Sequence, residues 1–176
     1  MRIYIIGMPG TGKTHFGRGL ARSLRLQFYD MDEYLEKQEG MPVRQIITEK
    51  GETYFRQIEH KAMETLSKSK NSIISCGGGT PVFFNHIDLM KQTGVVIWLN
   101  TDLNIIAKRI AQNSSRRPQF TGLSGTDLQQ KLAEIFENRR KIYAKADIIS
   151  EVNTPGNNSL STVIQKVMKF SRRRNE

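Results

Sequence analysis

Apolar residues gather in five short runs along the chain, at 2–6, 27–29, 72–76, 95–99 and 147–152. Each reads as a β-strand. Longer stretches with apolar residues at helical spacing separate most of them, and this alternation predicts a parallel sheet with crossover helices. One such stretch carries Phe16, Leu20 and Leu24. A second, at 52–68, places Phe55, Ile58, Ala62 and Leu66 on one stripe at roughly 100° per residue, with Glu59 inside it. A third, at 126–144, carries Leu128, Leu132, Ile135 and Ile142; Thr126 and Gln129 form a capping-box pattern at its start.

Three segments interrupt the rhythm. Residues 33–60 read as a helical insertion punctuated by Gly40, Pro42 and Gly51. Residues 113–124 (NSSRRPQFTGLS) are polar, basic and rich in helix breakers, which predicts a mobile loop, and 153–159 (NTPGNNS) form a turn cluster before the last helix. Neither an internal repeat nor a low-complexity tract is present.

A chain of 176 residues fits one α/β domain that buries a sizeable core without disulfides or metals. No apolar run approaches the roughly 20 residues needed to span a bilayer, and no signal-peptide pattern follows Met1, so a cytoplasmic protein without membrane partners is expected. Cys76 is the single cysteine, and His15, His60 and His86 show no zinc-like spacing with it. The net charge of +10 suits a polyanionic partner, either a nucleic acid or a nucleotide.

The sequence Gly7-Met8-Pro9-Gly10-Thr11-Gly12-Lys13-Thr14 lies between the first strand and the Phe16 helix and satisfies the pattern of a phosphate-binding P-loop. Its glycines, among them Gly10 and Gly12 around Thr11, let backbone N–H groups curl round a phosphate at a helix N-terminus. Lys13 is expected to reach the β and γ phosphates of ATP, and the Thr14 hydroxyl to ligate Mg²⁺. A P-loop alone leaves the acceptor open.

Asp30 and Asp32 follow the second strand at the sheet edge where open α/β folds bind ligands. Two apart on an extended segment, they would share a face, one holding Mg²⁺ through water and the other taking a proton from a substrate hydroxyl. The alternative is an acidic turn in which Asp32 caps the next helix. Glu59, on the apolar stripe, needs a partner, and Arg56 stands three residues before it. The pair is either an ordinary buried ion pair or an arginine held rigid to take a substrate carboxylate. Arg139 falls near the middle of the 126–144 stripe, so it either snorkels outward or faces an anion as a second clamp.

Gly77, Gly78 and Gly79 end the third strand and suit either a close approach to a ligand or a plain turn, while Cys76 before them is expected to be packed rather than reactive. Arg116 and Arg117 precede Pro118 in the mobile loop, either as a solvated basic stretch or as a lid that closes over phosphates and neutralises transition-state charge.

Taken jointly, GMPGTGKT, DMD, GETYFRQIE, CGGGT, RRP and NRRKIY resemble the shikimate kinases, a branch of the nucleoside-monophosphate-kinase-like P-loop group. The resemblance runs from about residue 2 to residue 165. It implies a three-layer α/β P-loop fold with a five-stranded parallel sheet in the order 2-3-1-4-5, and one kinase domain over 1–176. Within that domain, 1–32, 61–112 and 125–176 would be the core, 33–60 the substrate-binding insertion and 113–124 the lid. The reaction implied is ATP-dependent phosphorylation of the shikimate 3-hydroxyl, in aromatic amino-acid biosynthesis.

Carried over, Lys13 and Thr14 serve phosphate and Mg²⁺, Asp30 the metal's water shell, and Asp32 the shikimate hydroxyls and the proton. Arg56, Arg139 and Gly77 to Gly79 hold the acceptor, with Glu59 orienting Arg56. Arg117 is the lid arginine that reaches both substrates, and Arg109 with Pro155 resembles the pair that sandwiches adenine. The lid reads Gln119-Phe120 where many relatives carry leucines. ATP, Mg²⁺ and shikimate are the expected ligands of a monomer that binds no nucleic acid. Two rival readings remain. A gluconate kinase would share the P-loop and lid, and a non-catalytic nucleotide sensor or nucleic-acid binder would use the charge and the basic tail at 169–174.

Overall fold

The computed structural model describes residues 1–112, 120–152 and 160–173. Strands β1 (Arg2–Ile6), β2 (Gln27–Asp30), β3 (Ser72–Ser75), β4 (Val95–Thr101) and β5 (Ile148–Val152) form one sheet in the order β2-β3-β1-β4-β5. All four pairings are parallel, with Ile3 of β1 opposite Ile73 on one side and Val95 on the other. The five strands expected from the sequence and the order implied by the resemblance are both present.

Side chains alternate across a strand, so β1 feeds two cores at once. Ile3 and Ile5 face the layer built by Leu20 and Ala21 of α1 (Lys13–Leu24) and by Val163 and Val167 of α7 (Leu160–Arg173). Tyr4 and Ile6 face the opposite layer. There they meet Met31 and Leu35 of α2 (Met31–Glu39), Phe55 and Met63 of α3 (Val43–Leu66), and Leu132 of α6 (Gly125–Tyr143). Helices α4 (His86–Thr93) and α5 (Leu103–Gln112) complete this side. Both faces of β1 are therefore dry, which is why Ile3 through Ile6 form a continuous apolar run rather than an alternating one.

Three local expectations need correction. Asp30 and Asp32 do not share an extended segment, because α2 starts at Met31, immediately after the strand. The Asp30 side chain accepts hydrogen bonds from the amides of Asp32 (3.0 Å) and Glu33 (3.4 Å), so Asp30, not Asp32, is the cap. The capping box at Thr126 is not formed. Helix α6 begins at Gly125 with Ser124 as its N-cap residue, which puts Thr126 inside the first turn, and no side chain caps the end.

The helix expected at 52–68 is the second half of a longer one. Gly51 adopts φ 83°, ψ 162° and breaks α3 into two runs, so helical backbone resumes at Glu52. A left-handed φ of this kind favours glycine.

Candidate active site

The carboxyl ends of β1, β2 and β3 lie side by side, and each hands the chain to one wall of a crevice. After β1 comes the P-loop. Gly10 (φ 88°) and Gly12 (φ 93°) hold left-handed backbone, and Gly12 is the N-cap of α1, so the loop curls directly onto a helix N-terminus. Lys13 is folded along this loop, its Nζ donating to the carbonyls of Gly7 (3.0 Å) and Met8 (2.9 Å). Arg109 of α5 braces the loop from outside through Nη1, which donates to Gly10 O (3.2 Å) and Thr11 O (3.1 Å).

After β2 come the acids. Thr14 Oγ1 donates to Asp30 Oδ2 at 2.7 Å, which brings together a hydroxyl from α1 and a carboxylate from the end of β2. Both donors are oxygens, the set that suits a hard cation such as Mg²⁺, which ordinarily takes one or two protein ligands and completes its shell with water and phosphate. Asp32 is among the exposed residues, yet its Oδ1 lies 3.6 Å from where a β-carbon on Gly77 would sit. Its carboxyl is therefore crowded by protein although the residue keeps an open side. That desolvation first, then the charges of Asp30 and Glu59, push its pKa up to about 6. A carboxylate so tuned is mostly ionised at neutral pH and still basic enough to accept a proton.

After β3 come the three glycines, and here the absence of side chains shapes the site. A β-carbon on Gly79 would come within 3.0 Å of both Nη atoms of Arg56, and one on Gly78 within 3.0 Å of Arg139 Nη1 and 2.9 Å of Pro9 Cδ. Consecutive glycines thus seat two guanidinium groups and touch the P-loop. On Gly77 a β-carbon would meet Thr80 Oγ1 at 2.9 Å and Glu59 Oε1 at 3.1 Å. A plain turn would need none of these approaches.

Glu59 is 1% exposed, and both its oxygens are used: Oε2 accepts from Arg56 Nη1 at 2.7 Å, Oε1 from the Thr80 hydroxyl at 2.5 Å. Arg56 Nη2 donates to Glu52 at 3.2 Å, and among the described residues its buried Nε has no acceptor. Buried donors of a charged group are rarely left so, and an anion arriving at Arg56 would satisfy it. Arg139 is half-buried on the side of α6 whose fully buried residues are Leu128, Leu132 and Tyr143.

Four residues with a place in this architecture carried no role in the sequence reading. Tyr143 donates to Gly78 O at 2.5 Å and so fixes the glycine loop from α6; burial pushes its phenol up to about 12, so it remains a donor. Thr80, Phe83 and His86, on the segment after the glycines, contact the Arg56–Glu59 pair or one another. A tyrosine among apolar helix positions or a threonine in a loop has no local sequence signature, since each works through a partner more than 20 residues away. Cys76 is buried in the core, and burial holds its thiol well above the usual range, as befits a packed residue. Arg117 and Pro155 lie outside the described residues, as do Arg116 and Pro118.

Comparison with known proteins identifies a family. Residues 9–171 match the family model of shikimate kinase. The chain is 38% identical over 154 residues to the shikimate kinase of Persephonella marina, covering 88% of this chain and 89% of that protein. Identity to the shikimate kinase of Aquifex aeolicus is 40% over 151 residues, 84% of each chain. A structure of the Acinetobacter baumannii enzyme in complex with shikimate superposes with a TM-score of 0.85 at 27% identity, covering 98% of this chain and 93% of that one.

Proposed function

The chain belongs to the shikimate kinase family, enzymes that transfer the γ-phosphoryl group of ATP to shikimate, and from that premise we propose how its own residues divide the work. The observation that carries the reading is the seating of Arg56 and Arg139 on Gly79 and Gly78, with Gly78 also against Pro9 of the P-loop. Two cations beside a phosphate loop suit an acceptor that is itself a carboxylate.

Arg56 and Arg139 take the shikimate carboxylate, with Glu59 holding Arg56 in orientation. Gly77 to Gly79 let the ring approach the backbone. Asp32 receives the proton of the 3-hydroxyl as that oxygen forms its bond to the γ-phosphorus. The bond from the γ-phosphorus to the β,γ-bridging oxygen breaks, and ADP leaves with the electron pair. Gly10, Thr11 and Gly12 present backbone N–H groups to the phosphates, and Lys13 moves from the carbonyls of Gly7 and Met8 to the β and γ oxygens. Arg109 and Pro155 sandwich the adenine. Arg117, on the 113–124 lid, neutralises charge on the phosphoryl group in flight.

Thr14 and Asp30 would hold Mg²⁺, Asp30 through its water shell; when bound, the ion screens the charge of the β and γ phosphates. The 33–60 insertion and the lid close over a core of 1–32, 61–112 and 125–176. We place the enzyme in the cytoplasm as a monomer. Among the described residues, no helix is long and apolar enough to cross a membrane.

The test is ADP release by the purified protein with ATP and Mg²⁺, offered shikimate, gluconate and nucleoside monophosphates in parallel. Turnover with shikimate alone is expected. Turnover with gluconate or a nucleotide and none with shikimate would overturn the carboxylate clamp, and ATP binding without any turnover would favour a nucleotide sensor.

A further inference from the structure

Beside the crevice, two consecutive non-glycine residues, Phe84 (φ 53°) and Asn85 (φ 54°), hold left-handed backbone within the tight turn Phe83–Asn85. Strain of this kind persists only where the surroundings over-determine it, and it gathers at functional positions. Here the surroundings are two histidines. His86 is completely buried, and its Nδ1 lies 2.9 Å from Thr80 O, an atom that only accepts, so Nδ1 carries the proton. Burial holds His86 below its ordinary pKa, hence neutral, and Nε2 then accepts from His60 Nδ1 at 2.8 Å. The His60 ring also stacks on Phe84, with centroids 4.6 Å apart.

His60 sits on α3 four residues after Arg56, so the turn is tied to the stretch of helix that carries the clamp. What the strained turn presents is Phe83. Its ring lies over the Arg56 guanidinium, 4.2 Å from Cζ to the ring centroid, while the residue stays 37% exposed. An aromatic ring left that open contributes little to the core. Over a guanidinium it does something more specific, because the face of the ring attracts the cation and restricts where its donors point. Glu59, itself held by Thr80, anchors one of those donors. Together with the Phe55 ring, 5.0 Å from Arg56 Cζ, they hold the guanidinium in place.

We propose that Phe83 is a positioning residue for the acceptor carboxylate, acting through Arg56, with the turn 83–86 built to hold its ring there. The proposal rests on the reading of Arg56 as the carboxylate clamp. Initial-rate kinetics on the full chain with ATP, Mg²⁺ and shikimate test it, using Phe83→Leu, Phe83→Tyr, Arg56→Lys and the double variant Phe83→Leu/Arg56→Lys. Phe83→Leu is expected to raise the shikimate KM roughly three- to thirtyfold while kcat and the ATP KM stay within about twofold. Phe83→Tyr restores the wild-type KM. Arg56→Lys, which keeps charge but has no planar fork, raises the shikimate KM by itself, and Phe83→Leu adds little on that background.

A wild-type shikimate KM in Phe83→Leu, with Arg56→Lys impaired, would overturn the positioning role and leave the clamp standing. A wild-type KM in Arg56→Lys would overturn both. The same rise on both backgrounds, or equal rises in both substrates' KM with a lower melting temperature, would show that Phe83 only supports the fold.

Discussion

Asp32 meets two opposing demands, set by its neighbours rather than by its own chemistry. As a proton acceptor it must be basic, and the protein supplies basicity by crowding the carboxyl and placing Asp30 and Glu59 near it. The same environment works against folding. The folded state keeps the proton up to about pH 6, whereas the unfolded chain releases it near the ordinary carboxyl value of 3.8. The stability this proton contributes is thus fully present below the unfolded value and lost as the pH rises through about 6. Asp32→Asn stays neutral at every pH. In EDTA and without nucleotide, its melting temperature should exceed wild type at about pH 7.5, and the gap should close at about pH 4. With ATP and Mg²⁺, turnover should fall by at least about 100-fold while ATP still binds. Calorimetry and ADP release check the two halves. A variant that loses ATP binding along with turnover would remove Asp32 from the proton-accepting role.

Among the elements, the glycine segment at 77–79 separates its functions residue by residue, because each missing β-carbon leaves room for a different partner. A methyl on Gly79 meets the guanidinium end of Arg56 at 3.0 Å, so Gly79→Ala should raise the shikimate KM about tenfold and leave the ATP KM nearly unchanged. On Gly78 it meets both Arg139 and Pro9, so Gly78→Ala should raise both KM values. Initial rates at varied shikimate and varied ATP distinguish them; identical kinetic patterns in the two variants would refute the division. The sequence showed that this segment was special, since three glycines at a strand end suit a close approach. Its partners were less legible. Arg56 and Glu59 could be paired from helical spacing, as an i,i+3 pair on one stripe. Thr80, Phe83, His86 and Tyr143 could not, because their contacts span elements and no local period encodes them. The arrangement of the acid pair is hidden for a related reason. Nothing in Tyr29-Asp30-Met31 announces that the strand passes into helix without a linking residue, which is what makes Asp30 the cap.

At the scale of the whole molecule, the strands were legible from short apolar runs, but spacing was silent on their order, which followed only from the family resemblance. Order matters because it sets β2 beyond β3 and lets α1 cross both, so that Thr14 on α1 meets Asp30 at the end of β2. The 2.7 Å contact between them depends on how closely α1 lies on the sheet. Gly17 sets that distance, since a β-carbon there would stand 2.5 Å from Phe28 Cε2 and 3.0 Å from Ile5 Cδ1. Phe28, on the edge strand, is half-buried and packed in the same layer, and Ile5 is fully buried in the central strand. The helix must lift instead. Gly17→Ala should therefore cost about 1–3 kcal/mol, lowering the melting temperature by roughly 3–10 °C in a chain of this size. It should also draw Thr14 away from Asp30, so that half-maximal activity requires several times more Mg²⁺. Calorimetry and a Mg²⁺ titration of turnover read the two effects separately. A large fall in melting temperature with an unchanged Mg²⁺ requirement would mean that the Thr14–Asp30 pair tolerates the shift, and that the proposed metal site does not depend on how closely α1 packs against the sheet.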